Sequence, residues 1–504
     1  MSLAKSPDFA AFRSVYEAGA GQLLWTRGVA DLETPVAAFL KLADGRPNSF
    51  LLESIEGGAA RGRYSIIGVA PDLVWRCRGG RSEINRHADT TPDAFAAEDG
   101  GPLDRLRVLL AESRLEVPPD LPPMCGGLVG YLGYDMVRLM ERLPEKNEDG
   151  LDLPEALLLR PTLFVIFDNV TDRLTFAAPV YPRPGVLAEA AWDVAHAAIA
   201  AATAGLAKPL PAPATSTDAT ELPEPSSNFS RDGFLAAVER AKEYVYAGDV
   251  FQVVPSQRFS VPFALPPFAL YRALRRINPA PFLFFLNFGG FAVVGSSPEI
   301  LVRLRDNVVT IRPLAGTRKR GETVEQDEAL ARELLADPKE RAEHLMLLDL
   351  GRNDVGRVAA IGSVRVVESF AIERFSHVMH IVSEVQGTLR PGLDALDALV
   401  GGFPAGTLTG APKVRAMEII EELEPVRRGI YAGCIGYFAA NGTMDTCIGL
   451  RTAVVKDGTM HVQAGAGVVA DSDPASEYEE TRQKARALFL AAEAAVQFAA
   501  GKVS

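Results

Sequence analysis

The sequence predicts an α+β protein, and three observations favour this class. Apolar residues make up 48% of the chain and charged residues 23%, close to the average of globular proteins. Short apolar strands with turn signals occur in the N-terminal part, whereas apolar strands alternate with charged helices from residue 230 onward. No short repeat is present, which argues against a solenoid. Because 504 residues exceed the usual size of a single core, we expect several domains or one large two-part molecule.

One change in composition divides the chain. Residues 206–229 are dense in Pro, Ser, Thr and Ala, which is typical of an exposed linker or a long surface loop. We therefore predict an N-terminal region over residues 1–205 that is structurally joined to the rest of the molecule. The linker follows it, and a domain over residues 230–504 carries most of the candidate chemistry.

Charge and cysteine content exclude several classes of protein. Lys and Arg number 52 against 64 Asp and Glu, the net charge is −12, and no basic block stands out, so nucleic acid is not an expected partner. No apolar run reaches the roughly 18–20 residues that span a bilayer, and the N-terminus lacks the apolar core of a signal peptide. We expect a cytoplasmic protein without membrane contact. The cysteines form no CxxC or zinc spacing and are expected to be buried or free thiols: Cys77, Cys125, Cys434 and Cys447.

Caps and turn residues locate several elements of the C-terminal domain. Ser230 begins a helix with an apolar stripe. The run PFLFFLNFGGFAVVGSSPEI predicts a β-hairpin that turns near residues 287–290. A further helix is predicted for the segment that begins at Asp337. The last one begins at Asp473, which can cap it while Pro474 occupies the first turn.

Two of these helices each carry a pair of glutamates. Glu340 and Glu343 are three residues apart, as are Glu477 and Glu480, so the members of each pair share a helix face. Carboxylates from two helices suit Mg²⁺, which takes one or two of them directly and keeps several waters. A di-iron site is disfavoured because Arg341 replaces the Glu of the Glu-x-x-His motif that it needs. Solvated helix faces with ordinary ion pairs are the alternative.

Several other segments could bind an anionic substrate. FPAGTLTGAPK (residues 403–413) is not a P-loop, because three residues separate its glycines and Ala-Pro precedes its Lys. His380 lies on the inward face of a predicted strand, as either a satisfied core histidine or a buried acid or base. Arg451 follows an apolar strand and could bind a carboxylate in bidentate fashion. Without side chains, Gly465 and Gly467 allow backbone N–H groups to approach an anion.

Taken together, these segments resemble the chorismate-utilising enzymes, and within that family the branch that forms anthranilate. The matching segments follow one another through nearly all of residues 230–490: GDVFQVVPSQRF, SSPEILVR, RPLAGTRKRG, DPKERAEHLMLLDLGRNDVGRV, FSHVMHIVSEVQG, FPAGTLTGAPKVRAMEII, GIYAGCIGYF and DTCIGLRTAVV to AGAGVVADSDPASEYEET. LLES, GRYSIIG and GGLVGYLGYDMVR resemble the family's N-terminal region. The resemblance implies a large two-part sandwich of antiparallel sheets, packed face to face, with helices outside.

The resemblance also implies roles for individual residues. Glu343 and Glu480 would bind Mg²⁺ directly, with Glu340 and Glu477 in support, and the ion would hold the ring carboxylate of chorismate. The enolpyruvyl carboxylate would be bound by Tyr431, Arg451 and the backbone of Gly465, Ala466 and Gly467. The ring would lie against Gly316 and Thr317. Loss of the 4-hydroxyl and elimination of pyruvate would involve His380 and Thr407.

Two positions distinguish the reactions within the family. Relatives that add at ring carbon 4 or use water carry Lys where this chain has Ala315, and water-using relatives carry a lysine base in place of Gln252. Ammonia has its own lone pair and needs no base, so a neutral Gln252 fits amination at carbon 2 followed by pyruvate loss to anthranilate, the first committed step of tryptophan biosynthesis. The rival reaction is that of aminodeoxychorismate synthase. No cysteine sits in a Gly-x-Cys-x-Gly turn, so ammonia is expected from a separate glutamine amidotransferase subunit, in a heterotetramer.

One motif near the N-terminus and one in the middle of the chain resemble the family's tryptophan feedback site. LLES supplies Glu53 and Ser54, and NPAPFLF supplies Pro281, Phe282 and Leu283. The usual second motif is closer to NPSPYMF, so an apolar slot is kept and one hydroxyl is lost. L-tryptophan is therefore an expected inhibitor. A non-catalytic homologue that only binds tryptophan is the remaining alternative.

Overall fold

The computed structural model describes residues 6–43, 45–56, 60–211, 222–375 and 378–501. Within these ranges the chain forms eleven α-helices and 23 strands. The helices are α1 (Phe9–Glu17), α2 (Pro35–Ala43), α3 (Pro102–Glu112), α4 (Ala188–Leu206), α5 (Arg231–Tyr246), α6 (Pro267–Ile277), α7 (Val324–Ala336), α8 (Pro338–Val358), α9 (Ala395–Gly402), α10 (Lys413–Leu423) and α11 (Pro474–Ala499). The strands are β1 (Gln22–Val29), β2 (Ser49–Glu56), β3 (Ala60–Arg78), β4 (Arg81–Asn85), β5 (Ala96–Ala97), β6 (Gly127–Leu132), β7 (Ala156–Asp168), β8 (Arg173–Val180), β9 (Ser226–Ser227), β10 (Gln252–Val253), β11 (Ser256–Pro262), β12 (Phe282–Asn287), β13 (Phe291–Ser297), β14 (Ile300–Arg305), β15 (Val308–Ile311), β16 (Leu314–Lys319), β17 (Arg365–Arg374), β18 (Val378–Thr388), β19 (Gly410–Ala411), β20 (Cys434–Ala439), β21 (Met444–Ile448), β22 (Thr452–Lys456) and β23 (Thr459–Gly465).

The predicted helix starts are confirmed, and each has a side-chain cap. The Oγ of Ser230 accepts a hydrogen bond from the backbone N–H of Gly233 at 3.0 Å, where α5 begins. Asp337 caps α8 by accepting from Lys339 N at 2.9 Å. Asp473 caps α11, with a proline in its first turn. These caps satisfy N–H groups that a helix cannot satisfy internally, which is why the sequence signals were sufficient.

The strands form one antiparallel network built around two long strands, β3 and β7, which pair with each other along most of their length. The first half of β3 pairs with β2 and its second half with β4. Likewise, the first half of β7 pairs with β6 and its second half with β8. Two sheets therefore diverge from this shared pair.

The first sheet continues on both sides of β3 and β7. On one side it adds β8 and β1, and on the other β2, β12, β13, β22, β23, β11 and β9. The hairpin predicted around residues 287–290 is the β12–β13 pair. The second sheet runs from β6 through β20, β21, β14 and β15 to β18, which also pairs with β16 and β17.

Three apolar cores define the layers. One lies between the two sheets and combines β1, β2, β8 and β12 of the first sheet with β6, β20 and β21 of the second. Another packs the first sheet against α1, α2, α4, α6 and α11. The third packs the second sheet against α3, α8, α9 and α10. The predicted α+β sandwich of antiparallel sheets with helices outside is therefore confirmed.

The N-terminal region and the C-terminal domain share both sheets. β2 pairs with β12, and β6 pairs with β20. The domain boundaries stay a prediction, and residues 212–221 of the predicted linker lie outside the described residues. No helix in the described ranges is both long enough and apolar enough to cross a bilayer.

Candidate active site

His380 is held in one tautomer on strand β18. Its Nδ1–H donates a hydrogen bond to the carbonyl oxygen of Gly316 at 2.8 Å, and Thr317 Oγ1 lies 3.1 Å from the same nitrogen. Because a carbonyl can only accept, the proton must be on Nδ1 and the lone pair on Nε2. Nε2 is buried and has no hydrogen-bond partner among the described residues. Burial, with the nearby charge of Arg451, lowers the pKa of His380 to about 4, so it is a neutral base at neutral pH.

Glu299 is the functional residue that the sequence reasoning missed. It lies between β13 and β14 and is only 8% exposed. Burial raises the pKa of its carboxyl group to about 8, although a hydrogen bond from Thr407 and the charge of Arg451 oppose the rise. At neutral pH this carboxyl group therefore carries a proton that it can donate. The signal was available, since SSPEI places one acid between two apolar strands.

The loop FPAGTLTGAPK brings Thr407 to this acid. A 3-10 turn over Gly406–Leu408 directs Thr407 Oγ1 to Glu299 Oε1 at 3.0 Å. Lys413 instead points into the interior and forms a buried ion pair with Asp354 at 2.8 Å. Thr407 therefore contacts a buried acid, whereas Lys413 has a structural partner, and the catalytic role of Thr407 stays a prediction.

Arg451 lies within electrostatic range of Glu299 and His380, and Tyr431 lies beside Gly465. Arg451 connects β21 and β22 with a positive φ of 49°, a conformation that costs a non-glycine residue free energy. Within the described residues its guanidinium has no hydrogen bond and no ion pair, and burial lowers its pKa. Tyr431 is 7% exposed, and a Cβ at Gly465 would meet its hydroxyl oxygen at 2.8 Å. Only glycine allows this approach.

Gln252 lines the site from the short β10–β19 pair. It is 3% exposed, and its Oε1 has no hydrogen-bond donor within the described part of the chain. A Cβ at Gly467 would lie 2.5 Å from Gln252 Nε2, so a larger residue there would displace the Gln252 amide. Ala315 is buried on β16, opposite Ile381 of β18.

The four glutamates of α8 and α11 act on one another electrostatically. Burial raises the pKa of Glu343, and the charges of Glu340 and Glu480 raise it further. Burial likewise raises the pKa of Glu477, with a contribution from Glu480. The two helices therefore bring their carboxylates together. Glu480 is half-exposed and pairs with Lys484 at 2.7 Å, and Lys484 Nζ also donates to Gly465 O at 3.0 Å.

This glutamate cluster is not a preformed cage. Among the described residues no three His, Cys, Asp or Glu side chains are arranged as a metal site. Mg²⁺ usually takes only one or two carboxylates from a protein and keeps several waters. Carboxylates whose pKa values are raised by burial, and further by neighbouring like charges, fit a hard divalent cation, and the metal-binding role stays a prediction.

The two tryptophan-site motifs are brought side by side by the β2–β12 pair. Glu53 and Leu283 are direct partners in this ladder. Both carboxylate oxygens of Glu53 are engaged by α6: Tyr271 donates at 2.6 Å and Arg275 at 2.9 Å. Ser54 follows at an irregularity in the β2–β3 register. Such bulges often occur beside binding sites.

The remaining motif residues adjoin this ladder. Phe282 packs against the core between the sheets, and Pro281 precedes it directly at the start of β12. The two motifs, more than 200 residues apart in the sequence, thus meet at one place. The inhibitor-binding role of these residues stays a prediction.

The four cysteines are buried and reduced, as predicted. Burial raises the pKa of the Cys77 and Cys434 thiols to about 12 and that of the other two even more. His344, a second buried histidine, lies on α8, shares a hydrogen bond with Ser383 at 2.7 Å and belongs to the core.

Comparison with known proteins identifies the family. A family model described as chorismate binding enzyme matches residues 52–490. The chain belongs to this family. Among chorismate binding enzymes, a protein from Cereibacter sphaeroides named anthranilate synthase component 1 is 58% identical over 98% of either chain. A protein of the same name from Pseudomonas putida is 50% identical over 94% of this chain and 95% of its own.

A solved chorismate binding enzyme has the same fold. The crystal structure of anthranilate synthase component I from Streptococcus pneumoniae superimposes with a TM-score of 0.75 at 35% identity. The match covers 92% of this chain and 99% of that one. The family resemblance inferred from the motifs is thereby confirmed, and so is the assignment to a family of enzymes that use chorismate.

Proposed function

We propose that the chain is the chorismate-converting subunit of an anthranilate synthase, aminating ring carbon 2 and then eliminating pyruvate. Gln252 is the observation that carries this proposal. Its amide is buried and neutral, and its Oε1 has no donor in the described structure. A neutral amide cannot deprotonate water, but Oε1 can accept an N–H of ammonia and leave the lone pair of ammonia free for attack. The relatives named above support the same reaction.

The cationic side of the site would hold the enolpyruvyl carboxylate. A buried guanidinium without an anionic partner is costly, and a substrate carboxylate would supply that partner to Arg451 through a bidentate pair. The remaining contacts to this carboxylate would come from Tyr431 and the backbone of Gly465, Ala466 and Gly467. Gly316 and Thr317 would line the ring, since Gly316 O fixes His380 beside it.

The acidic side would hold Mg²⁺ through Glu343 and Glu480, with Glu340 and Glu477 in support. When bound, the ion supplies a positive charge that holds the ring carboxylate of chorismate. The four carboxylates then position the substrate between the two helices and the cationic side. The burial that raises the pKa of Glu343 and Glu477, with the added effect of neighbouring carboxylates, supports this role.

Glu299 and His380 divide the proton transfers. As the nitrogen of ammonia bonds to carbon 2, the C4–O bond breaks and the Glu299 carboxyl group donates its proton, so that the hydroxyl leaves as water. The added nitrogen then loses a proton to solvent. In the second step His380 Nε2 accepts the proton on carbon 2 as the C3–O bond breaks, and the ring becomes aromatic. The His380 imidazolium gives that proton to the leaving oxygen, so pyruvate is released as its enol, which tautomerises. Thr407 orients Glu299 through its 3.0 Å hydrogen bond.

Product identification tests the proposal. The protein incubated with chorismate, Mg²⁺ and ammonium should form anthranilate, detected by its fluorescence, together with pyruvate. Formation of 4-amino-4-deoxychorismate would assign the chain to aminodeoxychorismate synthase, and isochorismate or salicylate would also refute the proposal. Binding of tryptophan without any turnover would identify a non-catalytic homologue.

A separate glutamine amidotransferase would supply ammonia in the cell. Amide hydrolysis of this kind uses a cysteine thiolate, and all four thiols here are buried with raised pKa values. Glutamine alone should therefore not replace ammonium until that subunit is added. L-tryptophan would inhibit the enzyme at the β2–β12 motif, where Glu53, Ser54, Pro281, Phe282 and Leu283 meet.

A further inference from the structure

A buried ion pair lies next to the site without belonging to any motif assigned above. Glu424 directly follows α10, and Arg428 lies four residues later, before β20. Their side chains are 2% and 1% exposed, and Arg428 Nη2 donates to Glu424 Oε1 at 2.5 Å. Burial alone would lower the pKa of Arg428, but the charge and hydrogen bond of Glu424, together with Tyr134 and Tyr431, outweigh burial and raise that pKa. The guanidinium is therefore charged.

Arg428 also fixes the backbone of two segments that carry site residues. Its Nη1 donates to the carbonyl oxygen of Leu408 at 2.7 Å, one residue after Thr407. Its Nη2 donates to the carbonyl oxygen of Val254 at 2.6 Å, two residues after Gln252. One rigid planar group thus sets the distance between the Thr407 loop and the Gln252 strand.

Glu424 connects the ion pair to the strand that lies beside Gly465. Its Oε1 accepts hydrogen bonds from Ser256 N at 2.8 Å and from Ser256 Oγ at 2.7 Å. Ser256 is the register partner of Gly465 in the β11–β23 ladder. The carboxylate therefore anchors the strand against which the backbone at Gly465 is placed.

The guanidinium plane contacts Tyr431 as well. The Cζ atom of Arg428 lies 5.3 Å from the centroid of the Tyr431 ring and 5.0 Å from the centroid of the Tyr134 ring, within the range of cation–π attraction. Arg428 thereby limits the positions that the Tyr431 ring can adopt.

We infer that Arg428, held by Glu424, is a positioning residue for chorismate. It acts through Thr407, Gln252, Tyr431 and the strand of Gly465, whose mutual spacing it fixes. The inference rests on the proposed function, because that function gives these four residues their roles. Lysine cannot replace it, since an ammonium group lacks the planar fork that bonds a carboxylate and two carbonyls at once.

The chain contains a matched control for this ion pair. Arg160 forms a bidentate pair with Asp72 at 2.9 and 2.7 Å, with side chains 9% and 4% exposed. Its guanidinium also lies over a tyrosine ring, that of Tyr181, at 4.3 Å. Among the described residues it has no hydrogen bond to any residue of the candidate site.

The experiment compares Arg428→Lys and Glu424→Gln with Arg160→Lys. The rate of chorismate consumption gives kcat and KM, and circular dichroism and thermal unfolding report the fold. Displacement of a positioned group by about 1 Å slows a reaction by about 10²-fold. Arg428→Lys should therefore lower kcat/KM for chorismate by about 10²-fold and raise KM. Glu424→Gln should act in the same direction. The Mg²⁺ concentration at half-maximal rate should not change, because Glu343 and Glu480 lie on other helices. Arg160→Lys should lose stability but keep kcat/KM.

Each contrary outcome overturns the inference. A folded Arg428→Lys protein with unchanged kcat/KM would overturn it. A loss of kcat/KM in Arg160→Lys as large as that in Arg428→Lys would also overturn it. Failure of both Arg428→Lys and Glu424→Gln to fold would assign the pair to the stability of the fold alone. Failure of the proposed function is separate, because it appears as a different product from the unsubstituted protein, whereas this comparison follows chorismate consumption only.

Discussion

Glu299 and His380 have pKa values shifted in opposite directions by the same cause. Removal from water disfavours the charged form of each, so the acid keeps its proton and the base stays unprotonated. Groups with separated pKa values on either side of a substrate are typical of acid–base pairs. Thr407 and the Gly316 carbonyl orient them, which leaves each with one defined donor or acceptor atom.

Substitution of the acid should abolish turnover without unfolding the protein. Glu299→Gln keeps the size of the side chain and the contact with Thr407 but cannot donate a carboxyl proton. We expect kcat to fall by about 10²–10⁴-fold, the usual contribution of general acid catalysis. The measurement is anthranilate fluorescence at saturating chorismate and ammonium.

Glu421→Gln is the control, because Glu421 is 6% exposed but pairs with Arg138. Its activity should be unchanged. Glu299→Gln with full activity would show that another group donates the proton.

The pH profile should reflect both groups. The Glu299 carboxyl group must be protonated, and its raised pKa keeps it so until the pH rises through about 8. His380 must be neutral, and its lowered pKa keeps it so until the pH falls through about 4. The rate, divided by the concentration of free ammonia, should therefore be flat near neutral pH and fall above about pH 8. In Glu299→Gln the fall in rate at high pH should disappear. If that fall persists, it must be assigned to a group other than Glu299.

At the residue scale, the sequence predicted the residues that lie in motifs and missed those defined only by tertiary contacts. His380, Thr407 and Arg451 were found from strand parity or from the family motif. The position of Glu299 between two apolar strands was a signal in the sequence, but its partners, like those of Arg428, became visible only in three dimensions. Their burial and their partners come from segments more than 100 residues apart, or from carbonyl groups, which no sequence pattern records.

At the scale of elements, α8 and α11 carry carboxylates that the fold brings within electrostatic range of one another. Their N-termini are capped by Asp337 and Asp473, so local signals fixed where each helix begins. Local signals could not fix that the two helices would be neighbours. The strand orders were equally unpredictable, because pairings such as β6–β20 join segments roughly 300 residues apart whose register depends on the whole sheet.

Mg²⁺ should stabilise the protein through these two helices. A ligand at a hundredfold excess over its Kd adds about 2.7 kcal/mol to the free energy of unfolding, which raises the Tm measured by thermal unfolding. Glu343→Gln should lose this rise. Without the ion it should be as stable as the parent or more so, because burial and like charges disfavour the ionised form of Glu343.

Glu328→Gln, an exposed position on α7, is the matched control and should keep the full rise in Tm. A Glu343→Gln protein that Mg²⁺ stabilises as well as the parent would remove this residue from the metal site.

The β2–β12 pair should carry the response to tryptophan. Ser54→Ala removes a hydroxyl next to the irregular part of β2, and loss of one hydrogen bond should weaken inhibition by up to about tenfold. The measurement is the ratio of rates with and without tryptophan, so that changes in basal rate cancel. Ser49→Ala on the same strand, whose hydroxyl donates to Arg46 O, is the control. Equal inhibition of Ser54→Ala and the parent would show that the assignment of the site is wrong.

At the scale of the whole molecule, the N-terminal and C-terminal parts are one cooperative structure. Both sheets contain strands from both parts, and the core between the sheets takes residues from each. The composition of residues 206–229 predicted a division of the chain, and the pairings show that the two sides of that division share a core. The sequence indicated a linker because composition is local, whereas strand pairing is not.

Cleavage of the linker should leave the molecule intact. With a protease site inserted within residues 212–221, the two fragments should co-elute in gel filtration and keep anthranilate formation, because the β2–β12 and β6–β20 ladders remain. The uncut protein with the same insertion is the control. Separation of the fragments under native conditions would show that the parts are independent domains.

The depth at which the four sulfur atoms lie makes the surface of this protein available for selective covalent labelling. A maleimide reacts with thiolates that it can reach, and at neutral pH the native cysteines present none. One cysteine introduced at an exposed position, such as Phe251 beside Gln252, would be the only one to take up a fluorophore. The unmodified chain thus already serves as an unlabelled background for spectroscopy, because its four cysteines are buried.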